Sequence, residues 1–461
     1  MSHELLLRSV HELSRDFLES LARGYLDEVE TFYPVLGKAL ISDMIGDIHE
    51  RPSMSTGSLR HDPAHSEAIL CLMVAISLAI PFEARSTSLQ ISTVYFERAL
   101  ALQSSRTNSL FSNSTVTSLQ FQLLLCLYVW FDPSAGNLSR LVNAACRMCL
   151  DLLESQDLKP EETATVHILF RTAYILDTIV AVAYGRPNYL PEWKNLESMV
   201  VNTGTLDGRS DDADGNNLSF MVYNLARLRS TIHQDILSHV DSGVSGQDYI
   251  LSTPKVLSLK AQIDEWWNHW EQQTSYLMQP QDNGTGLGAG TSTSDGVLQT
   301  ETKAYCYGVI LHAGATTLLR TLAEKSGAAL SDGGVPLSSA EVLIKVYGAL
   351  KGGLSPPSSL HRGHLDSIPT SGGRVIEAGP GFPVCWTDYA DLMGAGLELL
   401  MADSDQERVD VATQMLDLEP ERRRALLEKC HGLLVWLEAA IGNPDWTLAR
   451  ALEALMSASF S

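Results

Sequence analysis

RTAYILDTIVAVAYGRPNYLPE, residues 171–192, is the stretch that decides the fold class. It reads as an apolar helix that carries one carboxylate, Asp177, and stops at Gly185-Arg186-Pro187. Ile175, Leu176, Ile179, Val180, Val182 and Ala183 spread over nearly the whole circumference, the pattern of a helix enclosed by other helices. Gly185 can take the left-handed turn that ends a helix, and Pro187 prevents its resumption. A charge on so apolar a helix is costly unless it is paired. Two partners are within reach of Asp177: Arg171 on the same helix and Arg186 in the terminating turn.

The pattern extends outward in both directions. Upstream, residues 5–29, 66–80, 87–103, 115–131 and 137–153 have helical periodicity, and Pro34 closes the first of these. Ser66 is the expected cap of the second, and Asp132-Pro133 ends SLQFQLLLCLYVWF at 118–131. Downstream, 218–240, 255–272, 301–324, 338–350, 386–400, 406–416, 420–440 and 444–456 resume the same periodicity. Alternating β-branched runs are few, and helices joined by short turns pack as antiparallel neighbours. Two segments break the series. QPQDNGTGLGAGTSTSDGVLQT at 279–300 has the composition of a flexible linker, and 351–383 is dense in Gly, Pro and Ser. The expectation is an all-α protein, a large multi-helical bundle of antiparallel helices with two flexible insertions. Its division is 1–278 core helices, 279–300 linker, 301–350 continuation of the core, 351–383 loop and 384–461 C-terminal helices.

Composition narrows the class. The 461 residues are 45% hydrophobic and 19% charged, as in ordinary globular proteins. A net charge of −22 speaks against a surface that embraces DNA or an anionic membrane. Arg422-Arg423-Arg424 is flanked by Glu419 and Glu421 and reads as a solvated helix face. The first residues form an amphipathic, acidic helix unlike a signal or transit peptide. The longest apolar run, 68–80, ends at Pro81, short of what a bilayer core of about 30 Å requires. Seven cysteines, scattered through apolar helical contexts, indicate reduced thiols in cytosol or nucleus.

No constellation compels an enzymatic reading. Cys146 and Cys149 form a lone CxxC inside a helix with no second ligand pair, so two core cysteines are the stronger account. Asp211, Asp212 and Asp214 before Gly215 hint at a calcium loop, but its last position falls on Met221 where a carboxylate is needed. Gly284, Gly286, Gly288 and Gly290 miss the dinucleotide spacing and follow no strand. His61 with His65, and His361 with His364, lack a metal-binding helix around them. Trp266, Trp267 and Trp270 pack one face on the core and leave an indole at a rim, which makes Trp267 with His269 the candidate effector pocket. No catalytic residue, metal ligand or bound cofactor is expected.

Taken in order, these segments resemble the fungal-specific transcription factor regulatory domain, the middle homology region of zinc-cluster transcription factors. The resemblance runs over about residues 21–320, at the boundary tolerance of such readings. YLDEVETFYPVL at 25–36 looks like the family's opening segment, YFERA at 95–99 its "YFERAR", and the segment 144–152 its "AxRMAxDLGLH". Tyr174 to Asp177 with Gly185, Arg186 and Pro187 is similar to its "YxLDR…GRP" signature. Thr178 stands where the family usually has arginine, and Thr321 where it often has proline.

The resemblance implies a regulator of gene expression located in the nucleus or shared with the cytoplasm. It would act on a metabolic or biosynthetic gene set through other transcription regulators or a small-molecule effector. Family members that bind DNA generally carry six cysteines in a basic N-terminal zinc cluster, and this sequence has no cysteine before Cys71. Direct DNA contact is therefore not expected of these residues, and zinc only with such a cluster. The alternatives are a recruited helical enzyme or small-molecule-binding protein of a biosynthetic pathway, and a truncated zinc-cluster DNA-binding factor.

Overall fold

In the computed structural model the described residues are 9–50, 63–80, 85–104, 115–155, 158–192, 213–241, 253–277, 294–326, 420–441 and 448–459. Every regular element among them is helical, as the all-α expectation requires. A short 3-10 turn, Val10–Glu12, precedes α1 (Arg15–Tyr25), which continues into a π-helical turn, Leu26–Glu30. Then come α2 (Lys38–Glu50), α3 (Pro63–Ala79), α4 (Arg85–Ser104), α5 (Val116–Phe131), α6 (Leu138–Glu154) and α7 (Pro160–Tyr184). They are followed by α8 (Ala213–Asp241), α9 (Thr253–Leu277), α10 (Ser294–Ser326), α11 (Pro420–Ile441) and α12 (Leu448–Ser459).

The described residues fall into two compact units. The first runs through Ser230, and the second begins at Thr231. In the first unit α3 packs on α4, α5, α1 and α2, α5 on α6 and α7, and α6 on α7. Helices α3, α5 and α7 are the enclosed ones: residues 65–77, 123–131 and 169–181 are buried without interruption. That is what apolar residues around the full circumference demand. Aromatic contacts fill the interior, with Phe96 stacked on Tyr128 at 4.2 Å and Tyr33 edge-on to Trp130 at 5.0 Å. By length and composition the segment Glu162–Tyr184 of α7 could cross a membrane, yet protein encloses it here. In the second unit α9 packs on α10 and α11 on α12.

Local chemistry sets the helix ends. The Thr115 hydroxyl caps α5 by accepting from the Ser118 N–H (3.1 Å), and Asn137 caps α6 by accepting from the Arg140 N–H (3.0 Å). Pro160 opens α7, and the Glu162 carboxylate reaches back to the Lys159 N–H at 3.1 Å.

Some expected boundaries move. The helix expected over 5–29 breaks before Arg15, because the Ser14 hydroxyl caps α1 through the Phe17 N–H (3.3 Å). Helix α3 begins at Pro63, not after Ser66. Proline fits a first turn, and Ser66 lies buried within the helix. Helix α2 was missed altogether between Pro34 and the next apolar run. Helix α10 starts at Ser294, inside the stretch expected to be linker. Residues 279–293 and 351–383, and the helices expected over 338–350, 386–400 and 406–416, lie outside the described residues.

Candidate functional site

The signature turn is built around one carboxylate. Asp177 is fully buried on α7, and each of its oxygens is engaged. Oδ1 accepts from Arg186 Nη2 at 3.0 Å, while Oδ2 accepts from the Tyr189 N–H at 2.6 Å and the Leu190 N–H at 2.9 Å. Burial raises the carboxyl from its ordinary value, against the opposing pull of the Leu190 N–H, the Arg186 charge and the Tyr189 N–H. Gly185 ends α7 in the left-handed conformation (φ 61°), and the Arg186 N–H closes the turn on the Ala181 carbonyl at 3.0 Å. Arg186 also donates to the Pro187 carbonyl at 2.7 Å, and Asn188 donates to the Thr178 hydroxyl at 2.8 Å. Thr178 thus anchors the same loop.

Of the two partners open to Asp177, the structure selects Arg186. Arg171 precedes Asp177 by six positions, about 240° around the helix, so the two side chains leave from different faces. Arg171 is nonetheless buried, and burial draws its guanidinium down to about 10.

A second carboxylate cradle, which sequence reasoning did not single out, organises the opening motif. Glu30 Oε1 accepts from the backbone N–H groups of Val35 (2.9 Å), Leu36 (3.0 Å) and Gly37 (2.7 Å). The neighbouring carbonyls are tied to the core: Thr172 donates to Pro34 O at 2.9 Å, and Gln120 to Val35 O at 2.9 Å. An acidic residue just ahead of a Pro- and Gly-containing turn was the available signal.

A third cluster involves the arginine of YFERA. Arg98 donates through Nη2 (2.6 Å) and Nε (3.1 Å) to Glu67 Oε1, which also accepts from the Ser9 hydroxyl at 3.1 Å. His11 Nε2 lies 3.4 Å from Glu67 Oε2. Burial alone would raise the Glu67 carboxyl, but the Arg98 hydrogen bonds and charge, with Ser9 and His11, bring it below its ordinary value. No linear spacing links residues 67 and 98, so only the packing of α3 on α4 reveals this pair.

The thiols are shielded. Burial pushes Cys149 up to about 12 and raises Cys146 and Cys126 with it, leaving them protonated and poor nucleophiles. No group of three or more potential metal ligands occurs among the described residues.

In the second unit the tryptophans of α9 divide as the helical spacing demands. Trp270 is fully buried and donates to the Ala304 carbonyl at 3.2 Å, with Trp266 stacked on it at 5.2 Å. Trp267 is half-buried and faces His312 of α10 at 5.1 Å, while His269 is exposed. Residues two apart on a helix do not share a face, so Trp267 and His269 do not meet. Burial brings His312 down to about 4, leaving a neutral imidazole against the indole.

These clusters hold turns and helices in place, and their carboxylate oxygens are engaged by the protein's own backbone and side chains. A family model for the fungal specific transcription factor domain matches residues 25–268, a span that contains the carboxylates of all three clusters. No curated protein matches the chain.

Proposed function

The chain belongs to the fungal specific transcription factor domain family, and on that premise we propose that it regulates gene expression through its helical body, by binding partner regulators or a small effector. The observation that carries this reading is the family match over residues 25–268. The signature residues Asp177, Gly185, Arg186 and Pro187 support it as fold determinants rather than as reacting groups: the carboxylate and guanidinium are consumed in closing one turn.

A role in the nucleus, on a metabolic or biosynthetic gene set, follows as part of the same proposal. So does recruitment to DNA through other regulators, because a net charge of −22 disfavours approach to the phosphate backbone. The proposal involves no catalytic step and no cofactor.

Deletion of the gene with transcript profiling, together with affinity capture and promoter-shift assays on the purified chain, tests this. A confined set of altered transcripts, a captured regulator and no stand-alone promoter shift are expected. Unchanged transcripts would overturn the regulatory role, and nanomolar binding of the chain alone to one DNA site would overturn recruitment through partners.

A further inference from the structure

Arg171 Nη1 and the Tyr223 hydroxyl are two buried donors with no acceptor among the described residues. Arg171, on α7, is 4% exposed, and its Nη1 has no hydrogen-bond partner among the described residues. Tyr223, on α8, is 0% exposed, and its hydroxyl is likewise unpartnered. The two groups act on one another electrostatically, and the Arg171 charge also reaches His167. The nearby carboxylates are already engaged. Asp177 holds Arg186 and two backbone N–H groups, and Glu192 accepts from Arg227 Nε at 2.9 Å. A buried cation with no counter-charge is strongly destabilising. A buried hydroxyl without a bond adds to that cost.

We propose that Arg171 and Tyr223 form the recognition pair for a small oxyanion, a ligand that presents a carboxylate or phosphate group between α7 and α8. The chemistry fits in kind and number. A guanidinium offers a planar fork of N–H donors that matches two oxygens of one anionic group, and the phenol adds a further donor from the facing helix. Neither group can act as a second anion and repel the ligand: burial keeps the Tyr223 hydroxyl protonated, its ionisation pushed far above the ordinary value. The Tyr223 ring is braced edge-on by Tyr174 at 5.3 Å, which restricts its movement. Both donor atoms are closed to solvent, so an anion enters only when α7 and α8 part locally. Binding is thereby coupled to a rearrangement of the regulatory core, which is what an effector site requires. The inference rests on the proposed function for its regulatory meaning alone; the site itself follows from the two unanswered donors.

The test is thermal unfolding of the full chain in acetate and in inorganic phosphate, titrated at constant ionic strength against chloride. A saturable rise in Tm with acetate or phosphate, absent in chloride, is expected. The rise should vanish in Arg171→Met and shift to several-fold higher concentration in Tyr223→Phe. Response to acetate alone assigns a carboxylate ligand, and response to phosphate assigns a phosphate. Should Arg171→Met not fold, Tyr223→Phe decides, since it keeps the ring and its contact with Tyr174. No anion-specific rise, or an identical rise in Tyr223→Phe, overturns the site. Anion binding without any transcript change on gene deletion would leave the site standing and remove the regulatory reading. Transcript changes without anion binding would do the reverse.

Discussion

Arg186 sits over the ring of Tyr189, its guanidinium carbon 4.0 Å from the centroid, and in that pose Nη2 reaches Asp177. The same Tyr189 offers its backbone N–H to the other carboxylate oxygen. The loop after α7 is therefore closed from both sides of one buried carboxylate, and an exposed aromatic ring holds the cation in register. Removing any of these groups leaves the others with a buried, unanswered polar atom.

Asp177→Ala should destabilise the first unit by about 3–5 kcal/mol, because it strands Arg186 and the Tyr189 and Leu190 N–H groups at once. Chemical denaturation of the two proteins measures it. A midpoint that does not move would show that the turn is held by its backbone alone.

Two glycines should respond differently to alanine. At Gly185 a Cβ meets nothing within 4 Å, so Gly185→Ala costs only the left-handed backbone (φ 61°), about 1 kcal/mol. At Gly308 a Cβ would collide with Trp270 Nε1. Gly308→Ala must therefore displace a fully buried indole and break its bond to Ala304, costing about 3 kcal/mol or more. A red shift of tryptophan emission in Gly308→Ala, with none in Gly185→Ala, is the readout.

The Glu67 to Arg98 contact should give acid-sensitive stability. The folded-state carboxyl lies below its ordinary value, so its contribution is fully present above the ordinary carboxylate range and is lost as pH falls through the lowered value. Stability curves of the native chain and Glu67→Gln should converge toward low pH and separate toward neutrality. Parallel curves would contradict the assignment.

His312 should act in a higher window. Its folded value is about 4, whereas an unfolded histidine titrates near ~6.5, so only the unfolded chain takes up the proton between them. Stability is thus complete above ~6.5 and declines as pH falls toward about 4, by on the order of 3 kcal/mol. Replacing His312 with Gln should flatten that slope while leaving the Glu67-dependent one in place.

Much of this was legible in the sequence, for identifiable reasons. The enclosed helix 171–184 and its stop at Gly185-Arg186-Pro187 follow from composition and backbone preference, which act locally. The partner of Asp177 did not follow, because choosing Arg186 over Arg171 depends on which face of α7 each side chain leaves from and on how the loop folds back. The Glu67 to Arg98 pair could not be read at all, since it exists only where α3 and α4 meet. Trp270 was legible as a core residue, but Gly308, whose missing side chain makes room for it, carried no mark of that role.

Cys71, Cys126, Cys146, Cys149 and Cys430 are all buried thiols. Their inertness makes them a built-in clock. An alkylating reagent can reach these sulfurs only during excursions that expose the interior, so the pace of labelling at each one times how often its own neighbourhood breathes. Cys146 and Cys149 sit beside α7, and Cys71 lies against the Arg98 cluster. Mass spectrometry of a labelling time course would therefore chart, helix by helix, which part of this regulator loosens first.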